Sequence, residues 1–466
     1  MKIHLVGVCG TGMGALAGLL QEAGHEVRGS DRAFYPPMAE RLAAWGIPML
    51  QGFDAAHLAP TPDLVIVGNV CRKDNPEAQA ALTRGFRVMS FPQALSEFFI
   101  AGKTSVVVAG THGKTTTAAL LAYVLVEAGL DPSFLVGGIP LNFGKSFHLG
   151  RGEAFVVEGD EYDTAFFDKR PKFVHYRPRI AVLTAVEFDH ADIYRDMAAY
   201  RAAFAGLVAM LPADGLLVAC ADDPEVRALA AQAPCPVVTY GLGPGAAWSA
   251  ADIHPGPDAT DFSLIRAGRP TGTVRLPLAG RHNVANALAV LAAADALGIE
   301  TAAGHLAGFA GVARRMQVRG VIDGVTVIDD FAHHPTKVRE TVRAARARYP
   351  EARLIAVFEP RTNTSRRKIF QEAYAASFPG ADEVLLVPPF DAAKLPEAER
   401  FDSAALVAAL ERGGQTALLR RDADEVVAHL ARRTGPGSVV LIMSNGGFDD
   451  IHEKLLAALR GRGPRP

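Results

Sequence analysis

The chain has 466 residues, more than one ordinary hydrophobic core holds, and points to about two to four domains of roughly 100–200 residues each. Forty-eight Lys and Arg against fifty Asp and Glu give a net charge of −2 with no basic block, which excludes a nucleic-acid or membrane-surface partner built on charge and leaves small molecules. No apolar run approaches the roughly 20 residues that span a bilayer, the four cysteines form no C-x-x-C pair, and no charged leader precedes Ile3, so a cytoplasmic monomer or weak homo-oligomer is expected.

Along the chain, short β-rich runs at 3–8, 64–67, 106–109, 155–158, 180–184, 354–358 and 439–443 end in glycine or acidic residues and are followed by alanine-rich helical segments. This alternation predicts parallel α/β sheets. Ligand-type strand ends after Val8, after Ala109 and near Asp329 predict three α/β units, 1–100, 101–312 and 313–466, with ligands beyond the carboxyl ends of the strands. Residues 241–275, rich in Gly, Pro and polar residues, predict a small antiparallel excursion.

The first strand runs into Val6-Gly-Val-Cys-Gly-Thr-Gly-Met-Gly14. Cys9 and Ala15 break the two possible registers of Gly-x-Gly-x-x-Gly, yet the backbone at Gly10, Thr11, Gly12 and Met13 can cradle a diphosphate at a helix start. A nicotinamide site of a dehydrogenase and a purely structural glycine turn are the alternatives. Asp31 stands where a ribose-binding carboxylate would, and a cap for the next helix explains it equally well.

The next unit opens with Ser105-Val-Val-Val-Ala-Gly-Thr-His-Gly-Lys-Thr-Thr-Thr117, a strand, a phosphate loop and a helix. Gly110, Thr111, His112, Gly113 and Thr116 shape the loop, Lys114 reaches the β/γ-phosphates, and the Thr115 hydroxyl is placed for Mg²⁺. Val108 replaces the first glycine of the usual pattern, so the loop is a variant; its ligand is a nucleoside triphosphate. Phe155-Val-Val-Glu-Gly-Asp-Glu-Tyr-Asp163 ends a strand in four carboxylates that need a compensating cation, and Glu158 is the candidate Mg²⁺ ligand. In Glu187-Phe-Asp-His-Ala-Asp192, His190 can coordinate a cation or position a phosphate. Gly280-Arg-His-Asn-Val-Ala-Asn286 offers polar groups for an adenine edge, and Arg314-Arg315 with Asp329-Asp-Phe-Ala-His-His-Pro335 offers a cationic clamp beside carboxylates.

As a set, these motifs resemble the Mur ligase family of ATP-dependent amide-forming enzymes over nearly the whole chain. The resemblance implies an N-terminal Rossmann-like domain for a UDP-sugar, a central P-loop ATPase domain and a Rossmann-like C-terminal domain for the incoming amine. It implies ATP and Mg²⁺ as cofactors, with Lys114, Glu158 and His190 catalytic and Thr115, Glu158 and His190 on the metal. His282, Asn283 and Asn286 would approach adenine, and Arg315 and Asp330 would reach the nucleotide from the third domain. Several members carry a carbamylated lysine where Tyr200-Arg-Ala-Ala-Phe204 has phenylalanine, a departure that matches the branch acting on UDP-N-acetylmuramate. Tyr162, Phe331-Ala332 and Phe448 resemble the members whose amine substrate is the murein tripeptide L-alanyl-γ-D-glutamyl-meso-diaminopimelate, in murein recycling, more than those that take L-alanine. Arg361, Asn363, Asn445 and Phe448 are the candidates for gripping that peptide.

Overall fold

The computed structural model describes residues 1–35 and 38–462. Its first unit is a five-stranded parallel sheet in the order Met49–Gln51, Glu26–Asp31, Lys2–Val6, Leu64–Val67, Val88–Ser90. Chain order reverses across Lys2–Val6, so the glycine turn and the helix Thr11–Glu22 that follow it open onto the crevice where α/β sheets bind ligands.

Val106 to Ala109 are fully buried, as a strand covered on both faces requires, and the strand Thr104–Ala109 is central in a ten-stranded sheet. Its parallel neighbours are Ala154–Gly159 on one side and Ile180–Leu183 on the other, so the carboxylate loop and the loop bearing Glu187 and His190 both emerge beside the phosphate loop. The far edge carries Trp248–Pro255, Thr260–Arg266 and Arg269–Leu276 as antiparallel hairpins, the excursion expected from composition. The helices Lys114–Glu127 and Arg281–Ala296 pack together on this sheet through alanine-rich faces.

A six-stranded sheet follows, in the order Gln317–Ile322, Val325–Asp330, Ser438–Met443, Arg353–Phe358, Glu383–Leu386, Ala417–Leu419; only its first strand is antiparallel. Every strand expected from sequence is present. No helix among the described residues is long and apolar enough to cross a membrane.

The apolar cores divide unevenly. One continuous cluster runs from Leu5 and Leu16 through Val107 and Phe147 to Leu288, joining the first two units, whereas the third has separate clusters on the two faces of its sheet. Among the described residues no buried apolar cluster spans the third unit and the rest, and hydrogen bonds such as Arg315–Thr115 and Asn363–Asp192 cross between them. At the apolar junction Gly18 lies under the Phe147 ring: a Cβ there would stand 2.1 Å from its Cζ, and Phe147 is wedged edge-on against Trp45 at 5.1 Å. Gly18→Ala gains about 1 kcal/mol of helix propensity, but overpacking this seam costs about 1–3 kcal/mol, more given so short a contact. A net loss of stability is expected, read as a lower midpoint of the first thermal transition.

Candidate functional site

Two glycines set the phosphate loop. Gly110 has φ +128° and Gly113 +80°, and a Cβ would lie 2.2 Å from Thr184 Oγ1 at the first and 2.6 Å from Asn286 Oδ1 at the second, so both the backbone and the space demand glycine. The Thr111 N–H donates to the Ala185 carbonyl at 2.7 Å and its hydroxyl to the Glu187 carbonyl at 2.9 Å, which fixes the loop against the neighbouring strand's exit. Lys114 then starts a 14-residue helix whose first N–H groups face the loop, with Thr116 half-buried in the first turn.

Lys114 Nζ donates to the Gly110 carbonyl at 2.6 Å and to Glu161 Oε2 at 2.8 Å. Burial works against its charge, but Glu161 and Asp160 outweigh burial and raise the Lys114 pKa. Glu161 also takes His190 Nε2 at 3.1 Å and the Tyr200 hydroxyl at 3.1 Å; burial opposes its ionisation, and Lys114 and His190 overcome it, holding the carboxyl far below the usual range. His190, in a left-handed conformation at φ +53°, is raised because Glu161 outweighs its own burial. Glu158 faces the other way: the Thr115 hydroxyl donates to its Oε2 at 3.0 Å, the Gly137 N–H donates to Oε1, and burial with nearby Asp160 pushes its carboxyl up. The structure thus pairs Thr115 with Glu158 but attaches His190 to Glu161, a carboxylate that sequence reasoning had not singled out. Thr115 and Glu158 make a hard oxygen set at a phosphate loop, which fits Mg²⁺.

On the adenine side, Asn286 Nδ2 donates to Asn283 Oδ1 at 3.1 Å, Asn283 Nδ2 donates to the Ala279 carbonyl at 2.7 Å, and the buried His282 Nδ1 has no partner. From the third unit, Arg315 Nη2 donates to Thr115 Oγ1 at 3.4 Å, its guanidinium 5.0 Å from the Phe331 ring centroid. Asp330 accepts from the Met316 and Ala332 N–H groups, each at 2.8 Å, and so shapes the turn that carries Arg315; burial raises its pKa against the pull of that arginine.

In the first unit Gly10 precedes the helix, Thr11 is exposed, Gly12 lies on the Phe91 ring and Met13 is buried. Asp31 accepts from the Cys9 N–H at 2.8 Å and the Arg32 N–H at 2.7 Å, fastening the glycine turn rather than capping the next helix. A cleft of about 370 Å³ lies between this unit and the next, lined by Asn69, Tyr162, Asp163, His190, Asp192 and Ile193. Asn363 of the third unit donates to Asp192, one of the lining residues, at 2.8 Å, which ties the third unit to a wall of this cleft. Arg361 stacks 3.6 Å over Phe390 and bonds Glu359 at 3.2 Å, and Asn445 has a buried, unpartnered Oδ1. Phe448 is 2% exposed, buried in the cluster with Val440, Ile442, Ile451 and Leu455 rather than lining the cleft. Of the cleft residues that sequence reasoning did not assign, Asn69 follows the strand Leu64–Val67 with no local motif, whereas Asp192 closes the stretch 187–192, in which only His190 was singled out.

Three family models match in succession: the Mur ligase family, catalytic domain, at 2–102; the Mur ligase middle domain at 108–294; and the Mur ligase, glutamate ligase domain, at 314–446. UDP-N-acetylmuramate–L-alanyl-γ-D-glutamyl-meso-2,6-diaminoheptandioate ligase of Escherichia coli is 42% identical over 98% of both chains, and UDP-N-acetylmuramate–L-alanine ligase of Rubrobacter xylanophilus is 37% identical over 98% of this chain and 100% of that one. A murein peptide ligase from Psychrobacter arcticus has a similar solved structure, at TM-score 0.74 and 36% identity over the whole of both chains. With the phosphate loop, the carboxylate pair and the three-unit plan, these matches leave one assignment: the chain belongs to the Mur ligase family.

Proposed function

We propose that this enzyme uses ATP to join UDP-N-acetylmuramate to the amine of L-alanyl-γ-D-glutamyl-meso-diaminopimelate, returning murein peptide to the cytoplasmic precursor pool. The observation that carries the reading is that all three units contribute around the phosphate loop: Lys114 and Thr115 from the second, Arg315 from the third on Thr115, and the cleft with Asn69 of the first beside His190, whose Asp192 accepts from Asn363 of the third. We place the domains at 1–100 for the UDP-sugar, 101–312 for ATP and 313–466 for the peptide.

A carboxylate does not react with an amine in water until its oxygen becomes a leaving group. Transfer of the ATP γ-phosphoryl group to the lactyl carboxylate supplies that; the peptide's amine then attacks the acyl phosphate and displaces phosphate. Mg²⁺ held by Thr115 and Glu158 would neutralise phosphate charge during the transfer. The chain itself supplies position and charge. Lys114, released from Glu161, faces the transferring phosphoryl group, while Glu161 and Tyr200 keep His190 turned to the cleft. Arg315 brings a second cation only when the third unit is docked. Water is excluded from the acyl phosphate by that docking, which the polar seam between units permits to open and close.

The L-alanine-utilising relative is close enough that acceptor choice needs its own test. Purified protein with Mg·ATP and UDP-N-acetylmuramate is given either L-alanine or the tripeptide, and ADP release and product mass are followed. Amide product from the tripeptide alone is expected. Product from alanine alone would overturn the acceptor assignment, and ADP formation with neither would overturn the ligase reading.

A further inference from the structure

One cluster of ligating side chains lies outside the Mg²⁺ pair. His112 of the phosphate loop, Glu187 from the loop after Ile180–Leu183 and His334 at the start of the third unit's helix Pro335–Arg348 place one donor atom each within 4.8 Å of one another. Glu187 Oε2 is the hub: it lies 2.9 Å from His112 Nε2 and 3.6 Å from His334 Nδ1, and the two rings sit 4.7 Å apart. We propose that these three residues bind a transition-metal divalent cation of the zinc class, which clips the third unit onto the phosphate loop.

The donor set selects the metal. Two imidazoles and one carboxylate suit Zn²⁺ or Co²⁺, whereas Mg²⁺ prefers oxygen ligands such as those of Thr115 and Glu158. Bonds of about 2.0–2.2 Å in a tetrahedron put ligand atoms roughly 3.3–3.6 Å apart, so modest side-chain turns assemble the site and leave a fourth position for water. His334 is in the tautomer that metal-bound histidines take: its Nε2 lies 3.3 Å from the Phe188 carbonyl, which can only accept, so Nε2 carries the proton and Nδ1, 3.6 Å from Glu187 Oε2, is the unprotonated nitrogen. Nδ1 now accepts the Thr336 N–H at 3.3 Å, a cap that the metal would replace. His112 Nδ1 is buried with no partner, so the ring can carry its proton there once Nε2 turns to the metal. Burial holds the pKa of both imidazoles down, that of His334 to about 3, so both are neutral ligands at pH 7.

The residues come from two units whose cores are separate, so the metal would cross-link the seam that must open for turnover. The test titrates Co²⁺ into metal-stripped full-length protein held in saturating Mg²⁺. One Co²⁺ per chain is expected, with a visible ligand-field band and a raised thermal midpoint. Glu187→Gln, and His334→Asn, which keeps a capping oxygen, should each weaken Co²⁺ binding about 100-fold or more and abolish the thermal shift. His148→Gln, at the surface pair with Asp131, should bind as the parent does. Absence of the band in the parent protein, or parent-like binding by Glu187→Gln, would overturn the site, and neither result depends on which amine the enzyme accepts.

Discussion

Lys114→Met is expected to lower ADP release by about 10³-fold, the scale seen when a preorganised donor is removed from a developing anion. The ammonium sits at the phosphate loop, held by the Gly110 carbonyl and Glu161, and among the described residues no other lysine hydrogen-bonds within the loop. Deleting one partner of a buried pair can cost about 3–5 kcal/mol by stranding the other charge. Here Glu161 keeps His190 and the Tyr200 hydroxyl, both at 3.1 Å, so the variant should fold with a smaller loss. Steady-state ADP release, nucleotide affinity and the thermal midpoint, measured together, separate chemistry from folding. Near-normal turnover in a folded variant would remove Lys114 from the mechanism.

What the sequence made legible was local: unbroken valine runs that must be buried on both faces, the glycines of the phosphate loop, and carboxylates at a strand end. What it hid was which way adjacent side chains turn. Glu158 is still in register with Val108, so its side chain direction follows from the strand, whereas Glu161 lies past the strand's end, where only the tertiary fold aims it at Lys114. Phe448 misled in the opposite sense. It was a candidate for gripping the peptide, but with φ +47° it lies in the apolar cluster on one face of the third sheet. The grouping of His112, Glu187 and His334 is invisible along the chain, because the three come together only when the third unit docks. Asp31 could be read from sequence as a ribose carboxylate or as a helix cap; what the fold shows is a third use, fastening the glycine turn through the Cys9 N–H.

Arg315→Ala is expected to cut kcat by about 10²–10³-fold while changing ATP affinity much less, as loss of a transition-state cation does. The guanidinium is contributed by the third unit to a threonine that stands 200 positions earlier, at 3.4 Å, and it rests on Phe331 so that its direction is fixed before any ligand arrives. Burial lowers its pKa, opposed by Asp330 and Glu158, so the group is held partly desolvated by neighbouring carboxylates and gains most when phosphate charge appears beside it. Arg315→Lys should recover little, because a single ammonium cannot both lie on the ring and reach the loop. The same substitution should leave the ten-stranded sheet and its shared core with the first unit untouched, since neither rests on this arginine. Pre-steady-state ADP formation, set beside nucleotide affinity, distinguishes the cases: a drop confined to affinity would make Arg315 an anchor for ATP, whereas a drop confined to the chemical step makes docking of the third unit the event that completes the catalytic charge.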